Sequence, residues 1–119
     1  MEHMKILIAD DDAEYRKSLQ EVLETSNHAV LAVDDGDAAI HAYQSNDGID
    51  LVITDYNMPK KNGLAVIREI RVIQPRARVW LISNAMTNDI KKVAIEAGVE
   101  QAMWKTDIRG ELRQWNIIN

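Results

Sequence analysis

The sequence predicts an α/β fold in which helices cover both faces of a parallel sheet. Five short runs, four of them rich in Ile, Leu and Val, alternate with longer stretches whose apolar residues recur at helical spacing. Because parallel strands need a crossover connection, this alternation is typical of repeated βαβ units. The length of 119 residues, with 46% apolar and 28% charged residues, suits one core. We therefore expect residues 1–119 to form a single domain.

The first two predicted strands are each followed by a helix. Lys5–Ala9 is the first strand, and apolar residues from Tyr15 onward then mark one face of a helix that Asp12 can cap. Ala29–Val33 is the second strand, and turn residues at both ends place a short helix within residues 35–48. These two units begin the sheet.

The third predicted strand is nearly all apolar. Residues 51–54 form a strand that ends at Asp55, and a loop leads from there to a helix that begins near Gly63. This helix ends before Pro75, because the residue before a proline avoids the helical conformation. A strand this apolar is typical of the buried centre of a parallel sheet.

Two further units complete the pattern. Residues 79–82 form a strand that ends at Ser83, and Gly98 is suited to end the helix after it in a left-handed conformation. Gln101–Trp104 is the fifth strand and ends at Lys105. The apolar face of the closing helix consists of Ile108, Leu112 and Trp115.

Composition excludes several classes of function. The sequence contains no cysteine, which removes disulfides, thiolate metal sites and cysteine nucleophiles and favours a reducing compartment, the cytoplasm. A formal charge of -5 opposes binding to nucleic acid and to anionic membranes. No apolar run approaches the roughly 20 residues that span a bilayer. We expect no nucleic-acid or membrane partner.

The ends of the predicted strands carry chemically active side chains. Asp10 and Asp11 follow the first strand, Asp55 ends the third, and Ser83 and Lys105 end the fourth and fifth. The carboxyl ends of parallel strands lie at one edge of the sheet, where ligands bind in open α/β folds. The sequence therefore predicts that three carboxylates, a hydroxyl and an ammonium converge.

Three crowded carboxylates predict a divalent cation. They would repel one another without one, and oxygen ligands are those that Mg²⁺, or Mn²⁺, prefers. One of the carboxylates could then attack a phosphorus atom, while the metal, the Lys105 ammonium and the Ser83 hydroxyl neutralise the phosphoryl oxygens. The product would be an acyl phosphate.

These residues also carry a family resemblance that extends over essentially the whole chain. Residues 6–12 read ILIADDD and residues 53–59 read ITDYNMP, and Gly63, Ser83-Asn84-Ala85 and Lys105 follow in order. In this pattern the chain resembles the receiver domains of two-component response regulators. Each motif alone is a weak signal, but their combination in this order is specific.

The resemblance implies a fold and a reaction. The fold is a flavodoxin-like, doubly wound (βα)5 sandwich with strand order 2-1-3-4-5. A histidine kinase or a histidine phosphotransfer protein would phosphorylate Asp55, in a domain that is not a turnover enzyme. Magnesium would be held by Asp11, Asp55 and the backbone carbonyl of Asn57, and Asp10 would act through a metal-bound water.

The resemblance also implies an output. Ser83 would move toward the phosphoryl group and Lys105 would pair with it, which would switch the surface formed by the fourth helix, the fifth strand and the fifth helix. A downstream protein, or a second copy of the domain, would bind this surface.

The sequence departs from the family pattern near this surface. Thr106 replaces the usual proline after Lys105, so we expect no cis peptide there, and Ala102 replaces the usual aromatic residue of the fifth strand. Trp104 lies on the same face and could supply an aromatic group, although packing against a helix is favoured. Asn84 stands where a small residue is usual and is expected to slow phosphoryl transfer or dephosphorylation.

Two other functional classes stay open. The departures at Ala102 and Thr106 are compatible with an interaction module that keeps the fold but works without phosphorylation. A metal-dependent phosphohydrolase with an aspartyl nucleophile would need an acid two residues after Asp55, where Asn57 stands. The phosphoacceptor interpretation is the leading one.

Overall fold

The structure is a computed structural model that describes residues 3–119. The strands are β1 (Lys5–Ala9), β2 (Ala29–Val33), β3 (Leu51–Asp55), β4 (Val79–Ser83) and β5 (Gln101–Trp104). The helices are α1 (Ala13–Thr25), α2 (Gly36–Ser45), α3 (Gly63–Ile73), α4 (Asn88–Glu96) and α5 (Ile108–Gln114). A short 3-10 turn, Lys105–Asp107, precedes α5. None of the helices described is both long and apolar enough to cross a lipid bilayer.

All five strands run parallel, in the order β2-β1-β3-β4-β5. This confirms the predicted doubly wound α/β sandwich and its strand order. Alternate residues of the central strands belong to two separate cores, one against α2, α3 and α4 and the other against α1 and α5. Because both faces are covered, β3 and β4 are buried along their whole length.

Capping residues set the starts of α1 and α2 and the end of α4. The Asp12 carboxylate accepts hydrogen bonds from the backbone N–H groups of Glu14 and Tyr15 at the start of α1, and Asp35 caps α2 in the same manner. Such a cap contributes about 1 kcal/mol. Gly98 follows α4 with a φ of 96°, the left-handed conformation predicted for it. Local chemistry therefore sets these boundaries.

The end of the chain differs from the sequence prediction. Trp115 was expected on the buried face of the closing helix, but α5 ends one residue before it and its side chain is 41% exposed. The Trp115 ring contacts Trp80 edge-on, with ring centroids 5.9 Å apart. Ile117 and Ile118 are buried in its place. The prediction was wrong because the chain leaves the helix and turns back onto the core.

Candidate functional site

The carboxyl ends of the strands bring the predicted acidic residues together. Asp10 and Asp11 lie just beyond β1, and Asp55 is the last residue of the neighbouring strand β3. One carboxylate oxygen from each of the three residues lies within 4.8 Å of those of the other two. Asp10 and Asp55 are buried, whereas Asp11 is exposed at the mouth of the group. The cluster is thus open to solvent on the Asp11 side.

Lys105 enters this cluster from the 3-10 turn that follows β5. Its Nζ atom lies 2.7 Å from Asp10 Oδ2 and 3.3 Å from Asp55 Oδ2. All three side chains are at least nine-tenths buried, so water screens these charges less than it screens a surface pair. The Lys105 ammonium pairs with Asp10 and Asp55, and Asp11 adds a third carboxylate to the group, which therefore has more acidic than basic side chains.

The surroundings of Asp55 affect its pKa. Burial raises the pKa of Asp55 to about 6, and the negative charge of Asp10 adds to the effect, while Lys105 opposes it. Burial alone would lower the pKa of Lys105, but the attraction of Asp10 and Asp55 outweighs it and the pKa is raised. The ammonium therefore stays charged, and within residues 3–119 it forms the ion pairs of Asp10 and Asp55.

The acidic residues fit a magnesium ion. Six-coordinate Mg²⁺ holds its oxygen ligands at about 2.1 Å, which places opposite ligands about 4.2 Å apart. The spacing within 4.8 Å therefore suits the ion after side-chain shifts of about half an ångström. Asp10 Oδ2 is buried and has no hydrogen-bond donor of good geometry among the described residues, although Lys105 Nζ lies 2.7 Å away. Asp10, Asp11 and Asp55 could hold the cation together.

The loop after β3 packs closely on the strand end. The backbone N–H of Gly63 donates to the Tyr56 carbonyl at 2.8 Å. A Cβ atom on Gly63 would lie 2.5 Å from the Asp55 carbonyl oxygen and 2.7 Å from Leu81 Cδ1, so only glycine fits. Asn57 lies on this loop, two residues after Asp55, and is exposed. The glycine therefore lets α3 begin in close contact with the backbone of Asp55.

Ser83 is fully buried at the end of β4. Its Oγ atom accepts a hydrogen bond from the backbone N–H of Ala85 at 3.0 Å. This bond uses an oxygen lone pair and leaves the hydroxyl proton free to donate. Asn84, the next residue, is exposed at the start of the loop that leads to α4.

Ala102 and Trp104 of β5 lie beside β4 in register. Ala102 pairs with Leu81 and Trp104 pairs with Ser83, so both face the same side of the sheet, as the spacing predicts. Trp104 is 46% exposed, so about half of its surface is free of contacts. It ends an edge strand, where α4 and α5 leave a groove of about 500 Å³ that includes Met86 and Lys91.

The sequence analysis missed Tyr15 as a residue of this site. Its hydroxyl donates to the backbone carbonyl of Lys105 at 2.9 Å, and Lys105 Nζ lies 4.8 Å from the centre of its ring. Burial, with the charges of Asp10 and Asp55, raises the pKa of Tyr15, so the phenol remains a donor. Helical spacing marked Tyr15 only as an apolar-face residue, since a contact 90 residues away leaves no local pattern. The described residues contain no cis peptide bond, as expected at Thr106.

Several curated proteins resemble this chain in sequence. It is 35% identical over 99 residues to the sensory/regulatory protein RpfC of Xanthomonas campestris. This alignment covers 83% of this chain and 13% of RpfC. It is 32% identical over 101 residues to the transcriptional regulatory protein CpxR of Escherichia coli K12. This alignment covers 85% of this chain and 42% of CpxR. The chain thus spans less than half of the length of either relative.

Solved structures share its fold. A response regulator receiver domain protein from Clostridium thermocellum superposes with a TM-score of 0.81 at 24% identity, covering 96% of this chain and 98% of that one. The receiver domain of the Francisella response regulator 1452 gives a TM-score of 0.87 at 22% identity, covering 97% and 95%. At these identities the likeness establishes the flavodoxin-like fold of receiver domains.

The family itself is shown by sequence. The model of the response regulator receiver domain matches residues 6–115, nearly the whole chain. This span runs from β1 through α5 and includes every side chain of the acidic cluster together with Lys105. The chain therefore belongs to the response regulator receiver domain family, a family of signalling modules.

Proposed function

We propose that this chain is a phosphoacceptor of a two-component system and that Asp55 accepts the phosphoryl group. The observation that carries the proposal is the position of Asp55, which is buried at the end of β3, 3.3 Å from the Lys105 ammonium and grouped with Asp10 and Asp11. A carboxylate placed between a fixed ammonium and a cation site can attack phosphorus while both positive charges stabilise the phosphoryl oxygens.

The donor in this proposal is a phosphohistidine of a histidine kinase or a histidine phosphotransfer protein. An Asp55 carboxylate oxygen forms a bond to phosphorus as the phosphorus–nitrogen bond breaks. The electron pair of that bond stays on the imidazole nitrogen, which then takes a proton from solvent. Asp55 suits this role because the attacking group must be ionised, and a pKa of about 6 leaves it mostly ionised at neutral pH.

The remaining site residues have supporting roles in the proposal. Asp11, Asp55 and the backbone carbonyl of Asn57 would hold Mg²⁺ or Mn²⁺, and Asp10 would hold a water of the ion. The bound ion would supply positive charge for the phosphoryl oxygens. Lys105 would pair with a second phosphoryl oxygen, and the Ser83 hydroxyl, whose proton is free, would donate to a third.

The output in this proposal is a change of protein binding at α4, β5 and α5. Trp104 and the groove beside it lie on this face, next in register to Ser83. A phosphoryl group that draws Ser83 toward Asp55 would therefore change the packing of Ser83 beside Trp104. The partner would be a downstream protein or a second copy of the domain, in the cytoplasm.

One experiment tests the phosphoacceptor role. The protein is incubated with acetyl phosphate and Mg²⁺, and its intact mass is measured, with Asp55→Asn as the matched control. We expect a magnesium-dependent gain of one phosphoryl group in the wild type only. Beryllofluoride with Mg²⁺ should also change tryptophan fluorescence. A wild type that neither gains mass nor responds to beryllofluoride would refute the proposal.

The second candidate function is an interaction module that works without phosphorylation. Ala102 favours it, because alanine offers no side chain that could follow the state of Ser83. In this case the wild type would bind its partner as tightly as Asp55→Asn does, in the presence and absence of the phosphodonor. A change in partner affinity on labelling would exclude it.

Asn84 offers a test of rate rather than of function. Asn84 is exposed and directly follows Ser83, and we expect it to slow phosphoryl transfer or dephosphorylation. Asn84→Ala should then label faster or lose its phosphoryl group sooner than the wild type. Identical labelling and decay kinetics would remove this role.

A further inference from the structure

Lys105 is buried and pairs with two carboxylates, although it directly follows an edge strand. Its side chain is long and flexible, and it begins a 3-10 turn just after β5. β5 is an edge strand that pairs only with β4. Lys105 Nζ lies 2.7 Å from Asp10 Oδ2 and 3.3 Å from Asp55 Oδ2. Within the turn the Ile108 backbone N–H donates to the Lys105 carbonyl, and one further side chain contacts both the turn and the ammonium.

Tyr15 contacts both parts of Lys105. The Tyr15 hydroxyl donates to the Lys105 carbonyl at 2.9 Å and so fixes the backbone where the turn begins. The Tyr15 ring lies 4.8 Å from Lys105 Nζ, within the range of about 6 Å in which an aromatic ring attracts a cation. One side chain therefore restrains the backbone of Lys105 and the direction of its ammonium.

Tyr15 is itself tied to the acidic residues. Its backbone N–H donates to the Asp12 carboxylate at 3.2 Å, and the backbone N–H of Asp12 donates to Asp10 Oδ1 at 2.9 Å. The guanidinium of the next residue, Arg16, donates to the Asp10 carbonyl at 2.8 Å. The segment that sets the position of Asp10 therefore also sets the position of the Tyr15 ring.

We propose that Tyr15 is a positioning residue that holds the Lys105 ammonium against Asp55. This inference rests on the proposed function, in which Lys105 pairs with the phosphoryl group. Tyr15 does not touch the reacting atoms; it acts through Lys105 alone. Its two contacts are separable, because Tyr15→Phe removes only the hydroxyl and Tyr15→Leu removes the ring as well.

The test measures the rate of labelling by acetyl phosphate with Mg²⁺ as a function of donor concentration. We expect Tyr15→Phe to lower the rate at saturating donor by 3-fold to 10-fold, and Tyr15→Leu by more than 10-fold, with the half-saturating donor concentration unchanged. Tyr43→Phe is the matched control, since Tyr43 is a partly buried tyrosine that packs on the opposite core. It should label at the wild-type rate.

A second background separates positioning from a general effect on the fold. In Lys105→Met the ammonium is absent, so adding Tyr15→Phe should change the remaining rate by less than 2-fold. A loss of the same size in both backgrounds would overturn the proposal, as would wild-type rates in Tyr15→Phe and Tyr15→Leu. If Tyr15→Leu does not fold, Tyr15→Phe decides the outcome alone.

Failure of the proposed function can be told apart from failure of this inference. If the wild type is not labelled, the phosphoacceptor role fails, but the contact between Tyr15 and Lys105 can still be measured by urea unfolding. The shift of the unfolding midpoint caused by Tyr15→Leu should be clearly smaller in Lys105→Met than in the wild type. Equal shifts in the two backgrounds would overturn the positioning role.

Discussion

Replacing Asp55 with asparagine should stabilise the protein in the absence of divalent cations. The folded state raises the pKa of this carboxyl from 3.8 to about 6, because it buries the group beside Asp10. A shift of about 2 units at 1.36 kcal/mol per unit corresponds to about 3 kcal/mol of cost when the group is ionised. Asn also leaves Lys105 with one carboxylate fewer, so we expect a net gain of about 1–3 kcal/mol.

The sign of the pH dependence follows from the raised pKa. Between pH 3.8 and about 6 the folded state binds the Asp55 proton more tightly than the unfolded chain does. The free energy of unfolding therefore falls as pH rises through this window, and the cost is complete above about pH 7. Asparagine does not titrate, so the stability difference between Asp55→Asn and the wild type should be small at pH 4 and full at pH 8.

The assay is urea unfolding of both proteins at pH 4 and pH 8, with chelator and then with Mg²⁺. Asp47→Asn is the control, because Asp47 is exposed and lies outside the acidic cluster. Mg²⁺ should stabilise the wild type more than Asp55→Asn, since a ligand that binds only the folded state adds to its stability. An Asp55→Asn protein that is no more stable than the wild type at pH 8, or a difference that is equal at both pH values, would refute the reasoning.

Three further predictions concern other parts of the structure. Asp11→Ala should weaken Mg²⁺ binding at least tenfold and abolish labelling while the protein stays folded, because it removes an exposed ligand; labelling at the wild-type rate would refute the metal assignment. Gly63→Ala should lower the free energy of unfolding by about 2 kcal/mol, since its Cβ would lie 2.5 Å from the Asp55 carbonyl oxygen; an unchanged urea midpoint would contradict this. Glu100→Ala should cost about 1–3 kcal/mol, because the Trp80 indole N–H donates to Glu100 at 2.8 Å, whereas Glu100→Gln keeps an acceptor. Equal thermal stability of the two Glu100 variants would show that this bond contributes little.

Most of the site could be predicted because its residues occupy the ends of apolar strands. The strand ends at Asp10, Asp55, Ser83 and Lys105 are visible as changes from apolar to polar residues, and the parallel order of the sheet follows from the alternation of strands and helices. Only topology is then needed to bring the strand ends to one edge. The cap at Asp12 could be predicted for the same reason, since it depends on nearby residues.

The exposure of single aromatic side chains could not be predicted in this way. Trp104 ends an edge strand, and its exposure depends on how far α4 and α5 stand from that edge. Trp115 is partly exposed because the residues after α5 turn back and bury Ile117 and Ile118 instead. Such outcomes depend on competition among distant apolar groups for the same core, which periodicity does not record.

The sequence by itself determined the fold class, the strand order implied by its family, and the set of acidic and basic residues at the strand ends. Only the tertiary structure decided the distances between them, and therefore the raised pKa of Asp55 and the contact of Tyr15 with Lys105. The physical reason is one of range. Strand and helix patterns arise from neighbours along the chain, whereas charge interactions and aromatic contacts depend on ångström-scale distances between residues as far apart as 90 positions.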